Sequence, residues 1–394
     1  MRKYILFLLL ALTAQATDWH VTVDGTSNGA GTLLSPWSMD YALSHPPSVQ
    51  PGDTIYAHAG EYYAPASQGS SYLIGGFRAK LTGTPGNYIT FMPWPGDSVV
   101  INGLYSDWIQ IFKIDGAWAI YKNLEIYNSN PDRIAETNNS NGPGVRGAGV
   151  AIYGSNVKFI NNVIHDAGTG IGFWLVAVDS EIYGNIVFNN GWISPQRAHG
   201  HALYTQNDTG LKLIKDNIFF NQLAGGVQIY GTDNTRLRNF LYEGNTVFND
   251  DFISSGGNEG VWNLDYKNSY FYGGITGTGT ISFHSSFAGG KNLKVRDSYF
   301  GNTRPQFRWS DTMTVTGNTF TRYATDWSLN MEFETYGGAS QTGSVGTYYF
   351  NNNRYHRPPN QTKVLKNNPR NGTASTLYSL AQLKALYSDT AAAY

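Results

Sequence analysis

Short runs of alternating apolar and polar residues recur along residues 117 to 356, and each run is followed by an Asn or Asp and a second short run. VKFINNVIHD, LKLIKDNIFFN and MTVTGNTFT are clear copies. The polar residue between the two runs occurs at Asn123, Asn162, Asn185, Asn217, Asn245, Asn268, Asp297, Asn318 and Asn352. Its spacing varies and has a minimum near 21 residues, which predicts a solenoid whose repeats carry insertions.

The runs are four to six residues long, have a period of two and are rich in Ile, Val, Phe and Tyr, so they predict strands and exclude a helical repeat. A coil of about 20 residues with three short strands is typical of a parallel β-helix, in which each coil buries its inward residues against its neighbours. A sandwich or a propeller does not explain so short a repeat. Asn suits the bend because it tolerates the left-handed conformation and because stacked amides can hydrogen-bond to one another.

Composition supports an all-β chain and restricts its partners. The 394 residues include 45 Gly, 27 Tyr and 20 Phe, and only 14% are charged. The formal net charge of −1 argues against a general nucleic-acid binder, which needs a basic surface. We therefore expect no nucleic-acid partner, and we expect a monomer.

Residues 1–16 predict a cleavable signal peptide. Arg2 and Lys3 are basic, Ile5 to Leu12 are apolar, and Ala14-Gln15-Ala16 fits a cleavage site before Thr17. The apolar run is too short to span a bilayer, and we expect no membrane span elsewhere. The chain has no cysteine, so an exported protein of this kind relies on its core and not on disulfides. We expect a secreted or periplasmic protein from a bacterium.

Residues 17–394 are predicted to form a single β-helix domain, with an N-terminal cap over 17–63, coils over 64–356 and a C-terminal cap over 357–394. Ser35 followed by Pro36 predicts the start of a short amphipathic helix that closes the first coil. A second helical pattern begins at Leu377. Loops at 128–147 and 189–199 are inserted between coils, where they either line a groove or contact another chain.

The segments DGTSNGAGTLLSPWSMDYAL and VQPGDTIYAHAGEYY, together with the Asn-containing coils, resemble the secreted right-handed parallel β-helix proteins of the pectate-lyase-like superfamily. The resemblance covers essentially the whole chain after Thr17. It implies the fold, whereas the activity stays open, because the superfamily contains lyases, inverting hydrolases, epimerases, esterases and phage tailspikes. The catalytic Arg/Lys motif and acidic calcium ligands of pectate lyases are absent from the sequence, as is the paired-Asp motif of polygalacturonases.

The strands that precede each Asn-containing pair predict a surface column of aromatic residues. We aligned these strands on the inward residues Ile152, Phe173, Leu203, Ile229, Val261 and Phe283. Alternation then places one residue of each strand outward: Tyr153, Trp174, Tyr204, Tyr230, Trp262 and His284. Aromatic residues on successive coils, about 4.8 Å apart, would suit the apolar faces of sugar rings. We expect Tyr153, Trp174, Tyr230, Trp262, Gln228 and His165 to bind substrate, although the same rings could simply stack for stability.

The densest group of reactive side chains follows Trp192, in the segment RAHGHALYTQND from Arg197 to Asp208. The candidate catalytic residues are His201, His199, Tyr204, Arg197 and Asp208, with Asp166 one coil earlier. Lys212, Lys215, Arg236 and Arg238 lie on the following strands and are expected to be surface charges.

These residues favour β-elimination on a uronic-acid polysaccharide. His201 or His199 could remove the C5 proton, Tyr204 could protonate the leaving oxygen, and Arg197 could neutralise the carboxylate. The sequence thus predicts a secreted polysaccharide lyase.

Three alternatives stay open. Inverting hydrolysis needs two carboxylates about 6.5 to 9.5 Å apart, and the candidates are Asp166, Asp179, Asp208, Asp233 and Glu259. A non-catalytic glycan-binding β-helix would use the aromatic column alone. His199 and His201 could instead bind a divalent metal with Asp208 or Asp166. Related lyases commonly use calcium, but two His ligands favour zinc, and no cofactor is required by the residues.

The signal-peptide hypothesis can be checked directly. We expect the protein recovered from the periplasm or the medium of a bacterial host to begin at Thr17. Intact-mass measurement and N-terminal sequencing test this, and a protein that keeps residues 1–16 would contradict it.

Overall fold

The computed structural model describes residues 16–66, 76–104, 110–136, 146–231, 237–255, 261–273, 281–284, 290–308, 310, 312–322, 331–334, 347–356, 363–368 and 376–387. Within them the chain winds through three long sheets of parallel strands. Strands from one coil pair with the strands of the coils on either side. The predicted all-β parallel β-helix is confirmed.

The three sheets are numbered by the order of their strands within one coil. Sheet 1 comprises Phe77–Ala79, Phe112–Ile114, Val150–Ile152, Ile171–Phe173, His201–Thr205, Gly225–Tyr230, Phe252–Ser255, Ile281–His284, Gln306–Arg308, Met331–Glu334, Lys363–Asn368 and Thr376–Ser379. The final strand of sheet 1 is antiparallel to its neighbour.

Sheet 2 comprises Asp18–Val21, Thr54–Ala57, Ile89–Pro93, Ala119–Lys122, Lys158–Ile160, Glu181–Tyr183, Lys212–Lys215, Leu237–Glu243, Val261–Lys267, Gly290–Arg296, Thr312–Thr316 and Thr347–Asn351. Sheet 3 comprises Gly60–Tyr63, Val99–Asn102, Glu125–Tyr127, Val163–His165, Ile186–Phe188, Ile218–Phe220, Thr246–Phe248, Tyr270–Tyr272, Tyr299–Gly301, Thr319–Thr321 and Arg354–His356. Inward side chains of all three sheets form one continuous hydrophobic core.

Two helices flank the sheets. The first spans Met39–Leu43 and packs on the first strand of sheet 1, where the Lys80 amide donates to the Leu43 carbonyl at 2.8 Å. It begins later than predicted, since Ser38 and not Ser35 is its N-cap residue. The second helix spans Leu380–Tyr387 and buries Leu383. Neither described helix has the length and apolar character needed to cross a membrane.

Strand pairing continues into the segments predicted to be caps. Strands of sheets 2 and 3 already pair within residues 18–63, and sheet 1 continues through 363–379. Coil structure therefore extends into both segments that we expected to be caps. Residues 1–15 of the expected signal peptide lie outside the described residues.

The bend from sheet 2 to sheet 3 has the same length in the nine coils that begin with strand Ala119–Lys122, whereas the preceding bend, between Pro93 and Val99, is longer. In nine coils it consists of two residues: Asn123-Leu124, Asn161-Asn162, Gly184-Asn185, Asp216-Asn217, Gly244-Asn245, Asn268-Ser269, Asp297-Ser298, Gly317-Asn318 and Asn352-Asn353. The first residue of each bend has a positive φ, between 51° and 69°. Only Gly, Asn or Asp occupies it, because these residues tolerate the left-handed conformation best.

The second residue of the bend forms a buried ladder along the helix axis. The backbone amide of Asn162 donates to Asn185 Oδ1 at 2.9 Å, and Asn185 and Asn217 donate to the following Asn in the same way. Each Asn Nδ2 also donates to a sheet 2 carbonyl of the preceding coil, as from Asn185 to Phe159 at 3.0 Å. Ser269 and Ser298 replace Asn in two coils and keep the chain of bonds intact.

The nine polar residues picked from the sequence therefore occupy two different positions. Asn162, Asn185, Asn217, Asn245 and Asn318 belong to the buried ladder. By contrast, Asn123, Asn268, Asp297 and Asn352 are the left-handed residues one position earlier. Tolerance of positive φ and amide stacking both explain the bend, but they act on adjacent residues.

Loss of one ladder side chain should destabilise the protein strongly. In Asn185→Ala the Asn162 amide and the Phe159 carbonyl lose buried partners, so we expect a loss of about 2–4 kcal/mol. Asn185→Ser should cost less, because a hydroxyl accepts the ladder bond at Ser269. Asn161→Gly, in the neighbouring bend, should change stability by less than about 1 kcal/mol. Urea unfolding of the three variants measures this, and equal losses in all three would contradict the ladder.

Candidate functional site

Four aromatic rings form a half-buried strip on the outer face of sheet 1. The ring centroids of Tyr153 and Trp174 are 6.0 Å apart, those of Trp174 and Tyr204 are 5.7 Å apart, and those of Tyr204 and Tyr230 are 6.3 Å apart. The predicted aromatic column therefore exists over four coils. We call these four residues the aromatic strip.

The register within the strip differs from the predicted alignment. Phe173 pairs with Thr205 and Thr205 with Ile229, whereas Leu203 pairs with Ile171. Tyr204 is therefore level with Gly172 and Gln228. The side chain of Trp174 covers Gly172, where a Cβ would lie 2.8 Å from the indole Nε1. Gln228 stays a predicted contact beside Tyr204.

Two residues assigned to the column do not belong to it as described. Trp262 is in sheet 2, where the Arg238 guanidinium lies 3.8 Å from the centre of its ring. The sheet 1 strand after Tyr230 is Phe252–Ser255, which pairs in turn with the strand of His284. The His284 side chain lies outside the described residues. The sequence FISS has no Gly-led alternation, which is why the alignment passed over it.

A pocket of about 460 Å³ opens over the strip. Its large side chains are Gln110, Arg146, Tyr153, Trp174, Trp192, His199, His201 and Tyr204, and Ala148, Thr169 and three glycines complete the lining. Sheet 1 supplies the floor, and the bends from sheet 3 to sheet 1 supply Gln110, Arg146, Trp192 and His199. None of the described lining residues is an Asp or Glu.

Several polar atoms in this lining are buried without a hydrogen-bond partner in the described structure. They are Trp174 Nε1, Gln110 Oε1 and His201 Nδ1. Buried polar atoms are normally satisfied by protein, water or ligand. Their convergence on one pocket marks it as a binding site candidate.

His201 begins its sheet 1 strand and faces the pocket beside Tyr204, with ring centroids 5.6 Å apart. Burial lowers the pKa of His201 to about 4, and the positive charge of Arg197 contributes. The imidazole is consequently neutral at physiological pH. Burial likewise raises the pKa of Tyr204, so its hydroxyl stays protonated.

His199 lies on a short inserted hairpin that forms one wall of the pocket. Trp192–Ile193 pairs antiparallel with Ala198–His199, and the rings of Trp192 and His199 stack at 3.8 Å. His199 Nε2 is 3.1 Å from the Ser194 hydroxyl. Because this nitrogen is engaged and the ring is stacked on Trp192, the structure favours a wall role for His199 over that of a base.

Arg197 is exposed at the turn of this hairpin and is outside the pocket lining. The cation in the lining is instead Arg146, which the sequence reading missed inside the loop 128–147. Its Nη1 donates to the Asn128 carbonyl at 3.0 Å and to the Asp166 carbonyl, and its Nε donates to Asp132 O at 3.1 Å. Burial lowers the pKa of Arg146 to about 10, which leaves it charged at neutral pH.

His165 and Asp166 lie on a different face from the one predicted. His165 is an outward residue of sheet 3, stacked between Tyr127 and Phe188 at 5.2 and 4.9 Å. Its Nδ1 is 2.6 Å from Asp166 Oδ2, and Asp166 also pairs with Arg133. Asp166 has a positive φ and ends the strand. Its carbonyl accepts a hydrogen bond from Arg146, whereas its carboxylate pairs with His165 and Arg133 and is not part of the pocket lining.

Asp208 is also separate from His201. It follows the sheet 1 strand and lies 3.7 Å from Arg238 Nε, in the same cluster as Trp262. Asp208 is not a lining residue of the pocket. Asp179 accepts a hydrogen bond from the Leu211 amide of the next coil at 2.8 Å. Asp233 and Glu259 lie outside the described residues.

Lys212 is not the surface charge that its sequence position suggested. Its side chain is fully buried, and its Nζ donates to backbone carbonyls directly beneath the aromatic strip. Only the alternation of its strand, in which Ile214 is also inward, could have indicated this burial. Lys215 is partly exposed as expected, and Arg236 lies outside the described residues.

The predicted metal ligands do not come together in the described part of the chain. His199 is bound to Ser194, and Asp166 and Asp208 lie in separate clusters. The described residues contain no group of three His, Asp or Glu side chains that could bind a metal ion. The proposed set of His199, His201 and an aspartate therefore does not fit calcium or zinc.

The low pKa of His201 makes stability depend on pH. The unfolded chain binds a proton at this residue below its ordinary pKa of 6.5, whereas the folded chain does so only near 4. The free energy of unfolding therefore decreases as the pH falls below 6.5, and the loss is about 1–2 kcal/mol at pH 5. His201→Gln should remove this loss. Urea unfolding at pH 7 and 5 measures it, and equal pH dependence of the two proteins would contradict burial of a neutral His201.

Three solved structures illustrate the similarity of the fold. A rhamnogalacturonan lyase matches with a TM-score of 0.50 at 14% identity, over 89% of this chain and 84% of its own. A pectate lyase matches at 0.46 and 16%, over 92% and 79%. A lacto-N-biosidase from Eubacterium ramulus matches at 0.46 and 13%, over 90% and 67%. No family model and no curated protein sequence matches the chain. At these identities the shared property is the fold, and the chain is a parallel β-helix protein.

Proposed function

We propose that this protein is a polysaccharide lyase that cleaves a uronic-acid-containing glycan by β-elimination in the pocket over the aromatic strip. The observation that carries the proposal is the composition of the lining. Arg146, neutral His201 and protonated Tyr204 stand on an aromatic floor, and the described lining contains no carboxylate.

Each step of an elimination has a candidate residue here. Arg146 pairs with the uronate carboxylate and makes the C5 proton more acidic. Neutral His201 takes that proton, and the electrons form the C4=C5 double bond. Tyr204 gives its hydroxyl proton to O4 as the C4–O4 bond breaks. The products are an unsaturated uronate and a new sugar hydroxyl, so atoms and charges balance.

The pKa shifts are compatible with these roles. A base must be unprotonated, and the low pKa of His201 keeps it so down to mildly acidic pH. A proton donor must stay protonated, which the raised pKa of Tyr204 ensures. His201 is a weak base, so the proposal requires a strong contribution from Arg146 to the acidity of C5.

Hydrolysis by a carboxylate pair has less support. It needs two Asp or Glu residues facing one bond, and Asp166, Asp179 and Asp208 make other contacts. A purely glycan-binding function would use the strip but would leave the reactive groups unexplained. Both are distinct outcomes of the same experiment.

The experiment is incubation of the protein with pectin-type, rhamnogalacturonan and alginate polysaccharides. We expect ultraviolet absorbance from the unsaturated product to rise together with reducing ends. In Tyr204→Phe and His201→Gln, kcat should fall by at least about 100-fold, while KM changes little. Tyr230 lies on the same strip but outside the pocket lining, so Tyr230→Phe should change kcat by less than about threefold.

Reducing ends without unsaturated product would replace the lyase by a hydrolase. Retention on immobilised glycan without any turnover would leave a binding protein. Full activity in both His201→Gln and Tyr204→Phe would move the reaction away from this pocket.

A further inference from the structure

Lys212 occupies a core position that is apolar in the following coils. It begins a sheet 2 strand and pairs in register with Phe240, and the residues next in the same column are Leu264, Leu293 and Met313. All of these side chains are buried. A lysine in such a column costs free energy unless its ammonium group is fully hydrogen-bonded.

The ammonium group of Lys212 has three acceptors. Nζ donates to Gln206 O at 2.6 Å, to Trp174 O at 2.7 Å and to Phe173 O at 3.3 Å. It also lies 4.1 Å from the centre of the Phe173 ring. Three carbonyls match the three N–H donors of an ammonium. Burial lowers the pKa of Lys212, and the three carbonyls are the groups that stabilise its charged form.

These acceptors belong to residues that build the pocket. Trp174 is part of the aromatic strip and of the lining. Gln206 hydrogen-bonds the Tyr204 hydroxyl through its side chain. Phe173 and Gln206 lie on adjacent coils, and the backbone amide of Gln206 donates to the Phe173 carbonyl at 3.3 Å. Lys212 thus ties together, from inside the core, the two strand ends that carry Trp174 and Tyr204.

We propose that Lys212 is a positioning residue for the pocket, which fixes the indole of Trp174 and, through Gln206, the hydroxyl of Tyr204. The role of Tyr204 rests on the proposed function, whereas the placement of Trp174 does not. Among the described coils of this column, the lysine occurs where the pocket lies. In the next coils, Phe240, Leu264, Leu293 and Met313 fill the same position without a polar group.

The test is Lys212→Met, which keeps the length and apolar volume of the side chain but removes the ammonium. We expect the indole N–H resonance of Trp174, assigned with Trp174→Phe, to shift or broaden in NMR spectra of the ligand-free protein. On the polysaccharide that the wild type degrades, kcat should fall by about 10- to 100-fold. The pH at which activity declines on the alkaline side should also move, since Tyr204 loses its fixed partner.

Two controls separate positioning from simple loss of stability. Lys215 lies on the same strand, and its Nζ is 5.9 Å from the centre of the Tyr183 ring. Lys215→Met should leave the Trp174 resonance and kcat unchanged. Asn217→Ala breaks the ladder and should lower the melting temperature without moving the Trp174 resonance. If Lys212→Met does not fold, Lys212→Gln, which retains N–H donors but is shorter, serves in its place.

An unchanged Trp174 resonance in a folded Lys212 variant would overturn the proposal, whatever the activity. The same spectral change in Asn217→Ala would also overturn it, because it would show a general effect of destabilisation. A protein inactive on every polysaccharide but with the expected Trp174 change would refute the lyase and retain the positioning role.

Discussion

The hydrogen bond between the ladder residue of one coil and that of the next sets the geometry on which everything else depends. The second residue of the bend from sheet 2 to sheet 3 is buried, so its backbone amide needs a partner inside the protein. Asn185 and its equivalents supply both an acceptor for the preceding coil and a donor for a sheet 2 carbonyl. Because one side chain satisfies two coils, the bend keeps a length of two residues in the nine coils from Asn123 onward, and their strands stay in register.

That constraint explains why the fold is readable in the sequence. The two-residue bend recurs with strands of fixed parity around it, and so the solenoid, the strands and most of the core follow from the pattern. The motif did not reveal that its two residues differ in role. Asn268 and Asn318 are the same residue type in the sequence, but one adopts the left-handed conformation and the other is a buried ladder member.

The site was less predictable, because it depends on exceptions to alternation. Thr205 is a buried residue level with Phe173, and its hydroxyl donates to the Phe173 carbonyl at 2.9 Å. A polar residue at an inward position led the alignment to choose Leu203 instead. Lys212 was predicted to be a surface charge for the same reason, because it is a polar residue at an inward position. Arg146 lies in a loop with no periodicity, and nothing in the neighbouring sequence indicates that it lines the pocket.

The two-residue bends between sheets 2 and 3 keep one length along the ladder, whereas the bends between sheet 3 and sheet 1 differ in length from coil to coil. Both long insertions near the pocket, 128–147 and 189–199, leave the coil between sheet 3 and sheet 1, on the side away from the ladder. Loops there contact their own coil and its neighbours, so a change in one need not disturb the stack. Grafting the bends between sheet 3 and sheet 1 from another β-helix could therefore give a new specificity, while the bends that carry the asparagine ladder stay unchanged.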